Sequence, residues 1–222
     1  MFIRKVGAFL RTMFLAETIT CKYRQTHLMK KSIKEFTKKD WDTLFPIKLS
    51  EHNPEWKNIF ESEKQKINEN VGIEFIERIE HFGSSSIPNI KSKPYIDILI
   101  EVPKELLFAP QMIKGFEDIG YTCLTEPIED NDDNYMILAK GYNVDGTNEQ
   151  VFHIHACSKG NPMLNQIEFR DYLISNPERA KEYETLKIKL ESEFKNDRSG
   201  YRIAKTEFIN KTLKMCKEKG YR

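Results

Sequence analysis

A chain of 222 residues with 39% apolar residues is long enough for one sizeable core, and no apolar run approaches the roughly 20 residues that a membrane span requires. The net charge of +1 hides an asymmetry: residues 1–39 carry ten Lys and Arg against two acids, leaving 25 against 32, a balance of −7, in the remainder. A mildly acidic body argues against nucleic acid as a partner, because a general nucleic-acid binder shows a basic face.

Residues 1–31 mix Phe2, Ile3, Phe9, Leu10, Phe14 and Leu15 with Arg4, Lys5, Arg11, Lys22 and Arg24. Arg11 interrupts what would be the apolar section of an export signal, so a cytoplasmic location is expected. Two readings of this segment stand: an amphipathic surface helix, or a start assigned upstream of a true beginning at Met29, with the second favoured. Residues 1–47 are therefore set apart as a basic extension, disordered or mis-assigned, from a domain over 48–222. Cys21, Cys123, Cys157 and Cys216 form no C-x-x-C pair, which leaves reduced, buried thiols as the expectation.

Asn53 can cap a helix that opens at Pro54, with Trp56, Ile59, Phe60, Glu63 and Ile67 at helical spacing and Val71-Gly72 as its end. Trp56 is read as core. Ile79, His81 and the turn after them predict a strand from about Ile76. It delivers the chain to Gly83-Ser84-Ser85-Ser86, small residues whose N–H groups and hydroxyls can approach an anion closely. Pro94, lacking an N–H, can only open the next strand. Ile96, Ile98, Ile100 and Val102 then share one face, and Tyr95, Asp97, Leu99 and Glu101 the other.

Leu106 to Ile119 suggests a helix that Pro110 interrupts. Three strands are predicted at Tyr121–Ile128, Tyr135–Lys140 and Val151–Cys157, which makes five in all, several joined by short turns, and hence a mixed sheet. The last third reads as helices, from Asn161-Pro162 to about Ser175, from Asn176-Pro177 through Tyr183, Leu186, Leu190 and Phe194, and from about Arg198 to Lys217.

Phe82-Gly83-Ser84, then twelve residues, then Asp97 in a strand resembles the nucleotidyltransferases of the polymerase-β superfamily. The longer run His81-Phe82-Gly83-Ser84-Ser85-Ser86-Ile87-Pro88, with Lys93-Pro94-Tyr95-Ile96-Asp97-Ile98 after it, resembles one family there, GrpB, also called UPF0157. Phe169–Leu173, Pro177, and Tyr201 with Lys205, Phe208 and Ile209 match further parts of that pattern, as does the His-x-His of His153 and His155. The resemblance implies a nucleotidyltransferase-like α/β (α+β) fold, a mixed β-sheet with flanking helices at about 48–160 and a C-terminal helical section at 161–222. It begins at Lys48 and does not reach the basic extension.

The candidate site follows. A carboxylate at Asp97 among apolar neighbours needs a cation or several donors, and it is assigned catalysis and metal binding, with Mg²⁺ or Mn²⁺ as cofactor. Its structural alternative is an acid tied to the Gly-Ser loop. A two-metal site wants a second acid two residues on, where this chain has Leu99; Glu101 lies about 13 Å along the strand. His153 and His155, on one strand face, are candidate metal ligands if their strand neighbours that of Asp97, against one ring buried and the other facing out. Ser84 joins Asp97 as catalytic, and Gly83, Ser84, Ser85, Ser86, His81 and Lys93 are expected to bind the phosphates. His81 is equally a residue that holds the turn. At Asn89 the family usually has Gly, and Asn tolerates the same positive φ. Lys205, in helical register with Tyr201 and Ile209, faces inward and needs an acid or a phosphate. Arg170 either binds substrate or joins Asp171 in a structural network. The resemblance implies transfer of a nucleotidyl group from a nucleotide to an unidentified small-molecule or protein acceptor. The alternatives are a binding module for a nucleotide or coenzyme A precursor that has lost turnover, and a metal-dependent phosphohydrolase centred on the His pair.

Overall fold

The computed structural model describes residues 32–143 and 149–220; the expectations for residues 1–31, including Met29 as a beginning, lie outside the described residues. Strands β1 (Arg78–Phe82), β2 (Tyr95–Glu101), β3 (Thr122–Cys123), β4 (Tyr135–Lys140) and β5 (Val151–Cys157) form one sheet in the order β1-β2-β5-β4-β3. β2 and β5 run parallel and the other pairs antiparallel, so the sheet is mixed as expected. The helices are α1 (Lys38–Leu44), α2 (Trp56–Ile67), α3 (Pro110–Asp118), α4 (Asn165–Ser175), α5 (Pro177–Glu193), α6 (Arg198–Ala204) and α7 (Thr206–Glu218). Among the described residues no helix is long and apolar enough to cross a membrane.

The alternation in β2 decides how the two faces are used. Ile96, Ile98 and Ile100 are fully buried against Trp56, Phe60 and Ile67 of α2 and Met112 and Phe116 of α3, and each such side chain contributes about 1.5–3 kcal/mol. Asp97 and Leu99 turn to the opposite face, which the C-terminal helices cover. α2 opens at Trp56, not Pro54, with Glu55 at its N-cap and no side-chain cap; Asn53 Oδ1 accepts from Glu55 N at 3.0 Å in the turn that precedes it. Glu63, buried on the same stripe, accepts from Tyr121 OH and from Lys140 Nζ.

Three further boundaries differ from the sequence reading. Pro110 begins its helix instead of interrupting it, because an N1 residue needs no N–H partner. β3 is shorter than Tyr121–Ile128: the Thr125 hydroxyl, bonded to Tyr135 O and Ile137 N, replaces the backbone ladder, and Pro127 has no donor with which to resume it. The last helix is two, α6 and α7, jointed at Lys205. The described part of the basic extension is also not an appendage. Thr37 and Asp40 form a capping box that starts α1, and Trp41 and Phe45 pack edge-on against Tyr142 at 4.8 and 4.6 Å.

Candidate functional site

β2 and β5 stand in a register that pairs Asp97 with His153 and Leu99 with His155, while β1 brings Phe82 opposite Asp97. Paired residues share a face, so Asp97, His153 and His155 converge as the strand order required. His153 Nδ1 lies 3.1 Å from Asp97 Oδ1, and its Nε2 lies 2.5 Å from the Tyr142 hydroxyl. Arg198 Nη2 donates to that hydroxyl at 3.1 Å. A carboxylate only accepts and a guanidinium only donates, so His153 Nδ1 donates to Asp97 and Arg198 donates to the Tyr142 oxygen. Burial works to raise the Asp97 pKa, but the His153 hydrogen bond, with the charges of His153 and Lys93, holds it below the usual carboxylate range.

The Gly-Ser loop closes over this pair. Gly83 has φ +72°, and a Cβ built on it would meet Asp97 Oδ2 at 2.3 Å. Ser86 Oγ donates to Gly83 O at 2.6 Å, and Ser85 Oγ is 3.0 Å from His81 Nε2. Two of the three hydroxyls thus fasten the loop, and Ser84 is left to face the cleft. Asn89 takes φ +62°, as the family's Gly at that position led us to expect.

The cleft has a volume of about 480 Å³, within the range of small-molecule sites. Asp97 and the two histidines form its floor, the loop one rim, and α5, α6 and the Lys205 joint its wall. Lys93, Lys187, Arg198, Arg202 and Lys205 line it, and none of them makes an ion pair with a described residue; the Asp97 carboxylate is engaged by His153. Lys93 is pushed down to about 7 by burial and by the charges of Arg198 and Lys205, with Asp97 opposing. Burial and Lys205 push Lys187 down to about 7 as well, with Glu184 opposing.

Some predicted residues lie elsewhere. His81 pairs with Ile98 and so faces α2, its ring stacked on Phe60 at 5.1 Å; it holds the loop through Ser85 from behind. Arg170 reaches Glu80, Asp171 and the carbonyl oxygen of His81, which fastens α4 to β1, the network reading. His155 lies in the cleft between Phe82 and Tyr135, and burial pushes it down to about 4, so its ring is neutral.

Among the described residues no group of three or more His, Cys, Asp or Glu is placed to hold a metal ion. His153 has both ring nitrogens engaged by protein and does not fit the ligand role. Leu99 is buried with Phe82, Cys157 and Ile167, so the strand position two residues after Asp97 supplies no second carboxylate. One carboxylate does fit Mg²⁺ of the kind that takes its remaining ligands from substrate phosphates and water.

Sequence reasoning missed Lys187, Arg198, Arg202 and Tyr142. For Lys187 a signal existed: it falls four residues after Tyr183 and three before Leu190, the inward register that singled out Lys205. Arg198 is also held from the basic extension. Its backbone N–H donates to Asp42 Oδ1 at 3.0 Å, its Nη1 to Phe45 O at 2.9 Å, and its guanidinium lies 5.6 Å from the Trp41 ring.

A family model described as "GrpB protein" matches residues 46–215. The chain is 34% identical over 164 residues to the UPF0157 protein YqkA of Bacillus subtilis, a match covering 73% of this chain and 45% of YqkA, less than half of that relative's length. It is 31% identical over 165 residues to the glutamate-rich protein GrpB of Alkalihalophilus pseudofirmus, covering 74% of this chain and 92% of that one. The crystal structure of the conserved protein GrpB from Enterococcus faecalis superposes with a TM-score of 0.65 at 30% identity, covering 79% of this chain and all of the other.

Proposed function

The chain belongs to the GrpB family, and from that premise we propose that its cleft binds a nucleoside triphosphate and moves a nucleotidyl group from it to a hydroxyl of a small molecule or protein. The observation that carries this reading is the five Lys and Arg side chains that line the cleft with one carboxylate and make no ion pair with a described residue. Such a field suits a polyphosphate, and it does not suit a neutral or cationic ligand. In the reaction the acceptor oxygen bonds to the α-phosphorus as the bond to the bridging oxygen breaks. Pyrophosphate leaves with its charge met by the lysines and arginines, and the acceptor proton passes to Asp97. The work is positioning and charge stabilisation. His153, Tyr142 and Arg198 hold the carboxylate in one orientation, and Ser84 offers its hydroxyl to a phosphate. Asp97 would hold Mg²⁺ or Mn²⁺ together with phosphate oxygens, and the ion, when bound, supplies Lewis acidity and neutralises charge.

Leu99 favours a second reading, a module that keeps the pocket for a nucleotide or coenzyme A precursor without consuming it. The two readings separate on one experiment: thermal shift of the whole chain with each of the four nucleoside triphosphates, dephospho-CoA and CoA, with and without Mg²⁺ or Mn²⁺, followed by transfer of an α-phosphate label. A metal-dependent shift with label transfer, lost in Asp97→Ala at unchanged melting temperature, supports the transferase. Binding without transfer supports the module, and no shift with any ligand overturns both.

A further inference from the structure

We infer that Lys93, Lys187 and Lys205 form a seat for a terminal phosphate group, and that this seat fills without a divalent cation, apart from the Asp97 end of the cleft. The inference rests on the reading of the cleft as a nucleotide site and names where the ligand's charge is met. The three lysines come from separate elements: the run that opens β2, the middle of α5 and the joint between α6 and α7. Each ammonium lies over a tyrosine ring, Lys93 over Tyr95 at 4.9 Å, Lys187 over Tyr183 at 4.9 Å and Lys205 over Tyr201 at 4.7 Å. A ring face steadies a cation without neutralising it, so three charges are fixed in place and none is cancelled.

Lys187 is 1% exposed, and among the described residues its Nζ donates to one acceptor, the carbonyl oxygen of Lys91. An ammonium has three donors, so two are left for the cleft. Lys205 acts on both of the others, and its charge disfavours theirs. One buried and two half-buried ammonium groups, with Lys205 disfavouring the charge of the other two, carry a free-energy cost that an anion removes.

The shape of the set selects the anion. Three ammonium groups from three separate elements lining one cleft suit the three terminal oxygens of a phosphate monoester or of the last phosphate in a chain, whereas a carboxylate offers two oxygens and one charge. The same field repels a divalent cation. Asp97, the carboxylate that would attract one, belongs to the floor of the cleft and is already engaged through Oδ1 by His153. A divalent cation would therefore sit at the carboxylate and not among the lysines, and the seat can be filled first.

The test is isothermal titration of the whole chain with inorganic tripolyphosphate in excess EDTA, on wild type, Lys205→Met, Lys187→Met and Asp97→Asn. Wild type is expected to bind in EDTA. Lys205→Met should weaken binding roughly tenfold or more, as loss of a charge-assisted hydrogen bond does, and Asp97→Asn, which removes a negative charge that faces Lys93, should tighten binding in EDTA, not weaken it. Lys205 is only half-buried, so its variant stays informative if Lys187→Met fails to fold. Binding that appears only with Mg²⁺, or that Lys205→Met leaves unchanged, overturns the inference. If tripolyphosphate binds as expected and no nucleotide is consumed, the seat stands and the transferase reading falls. If nucleotide is consumed and tripolyphosphate needs Mg²⁺, the reverse holds.

Discussion

Gly83 lies so close to Asp97 that a Cβ on the glycine would stand 2.3 Å from the Oδ2 atom of the carboxylate. The loop and the acid are therefore one construction: the backbone at φ +72° leaves a place for the carboxylate that no side chain could share. Gly83→Ala has to accept a left-handed conformation, which costs an L-residue about 1–2 kcal/mol, and must also move Asp97. A fall in melting temperature of at least about 3 °C, on the usual scaling for a chain of this size, is expected together with loss of nucleotide binding. Thermal shift with and without ATP checks both; retained ATP binding in a folded Gly83→Ala would separate the loop from the acid.

Leu99 stands where a two-carboxylate site would have its second acid, which suggests restoring it. The structure predicts that Leu99→Asp unfolds the protein instead of completing the site. The position is fully buried with Phe82, Cys157 and Ile167, and an unpaired carboxylate there costs about 3 kcal/mol or more. Urea denaturation of Leu99→Asp against Leu99→Ala measures the charge separately from the cavity. Equal midpoints for the two variants would mean that the position admits water or a cation.

What the sequence disclosed was local. Period-two alternation placed Asp97 opposite the isoleucines, an i, i+2 spacing placed His153 with His155, and Pro94 and Gly83 marked where β2 and its loop had to turn. The partners of these residues depend on register between distant strands, and no local pattern states that β5 sets His153, and not His155, against Asp97. The same limit hid Tyr142 and Arg198, which join the site by packing on a segment outside the family pattern. Lys187 was different. Its helical register was visible, but an inward lysine in a lysine-rich helix is distinguished from its solvated neighbours only by the burial that the fold supplies.

The segment around α1 is expected to act on the cleft through Arg198. Asp42→Ala removes the acceptor of the Arg198 N–H and the partner of Lys38, and Trp41→Ala removes the ring beside both Arg198 and Tyr142. Each should cost about 1–3 kcal/mol of stability, and each should weaken ATP binding as well. The decisive comparison is a double-mutant cycle on ATP affinity. If the segment works by positioning Arg198, Asp42→Ala loses its effect on affinity in an Arg198→Met background. Additive losses would make α1 a stabilising element only.

Stability should climb with pH in two separate windows. His81 is pushed down to about 4 by burial, with Asp97 opposing and Arg170 and His52 reinforcing, so between about 4 and its ordinary value of 6.5 the unfolded chain binds the extra proton. Its contribution is complete above pH 6.5 and is lost as pH falls toward 4. Lys93 and Lys187 are pushed down to about 7 from 10.5, so they too are less protonated in the folded state, and the cost of burying them fades as pH rises from about 7 to 10. Urea midpoints measured across pH 4–10 should show both limbs. His81→Gln should reduce the acid limb alone, the part due to His155, also pushed down to about 4, remaining, and Lys187→Met should reduce the alkaline one. Saturating tripolyphosphate, which favours the charged ammonium, should flatten the alkaline limb in wild type. An alkaline limb that phosphate leaves unchanged would mean that the lysines titrate without facing the ligand.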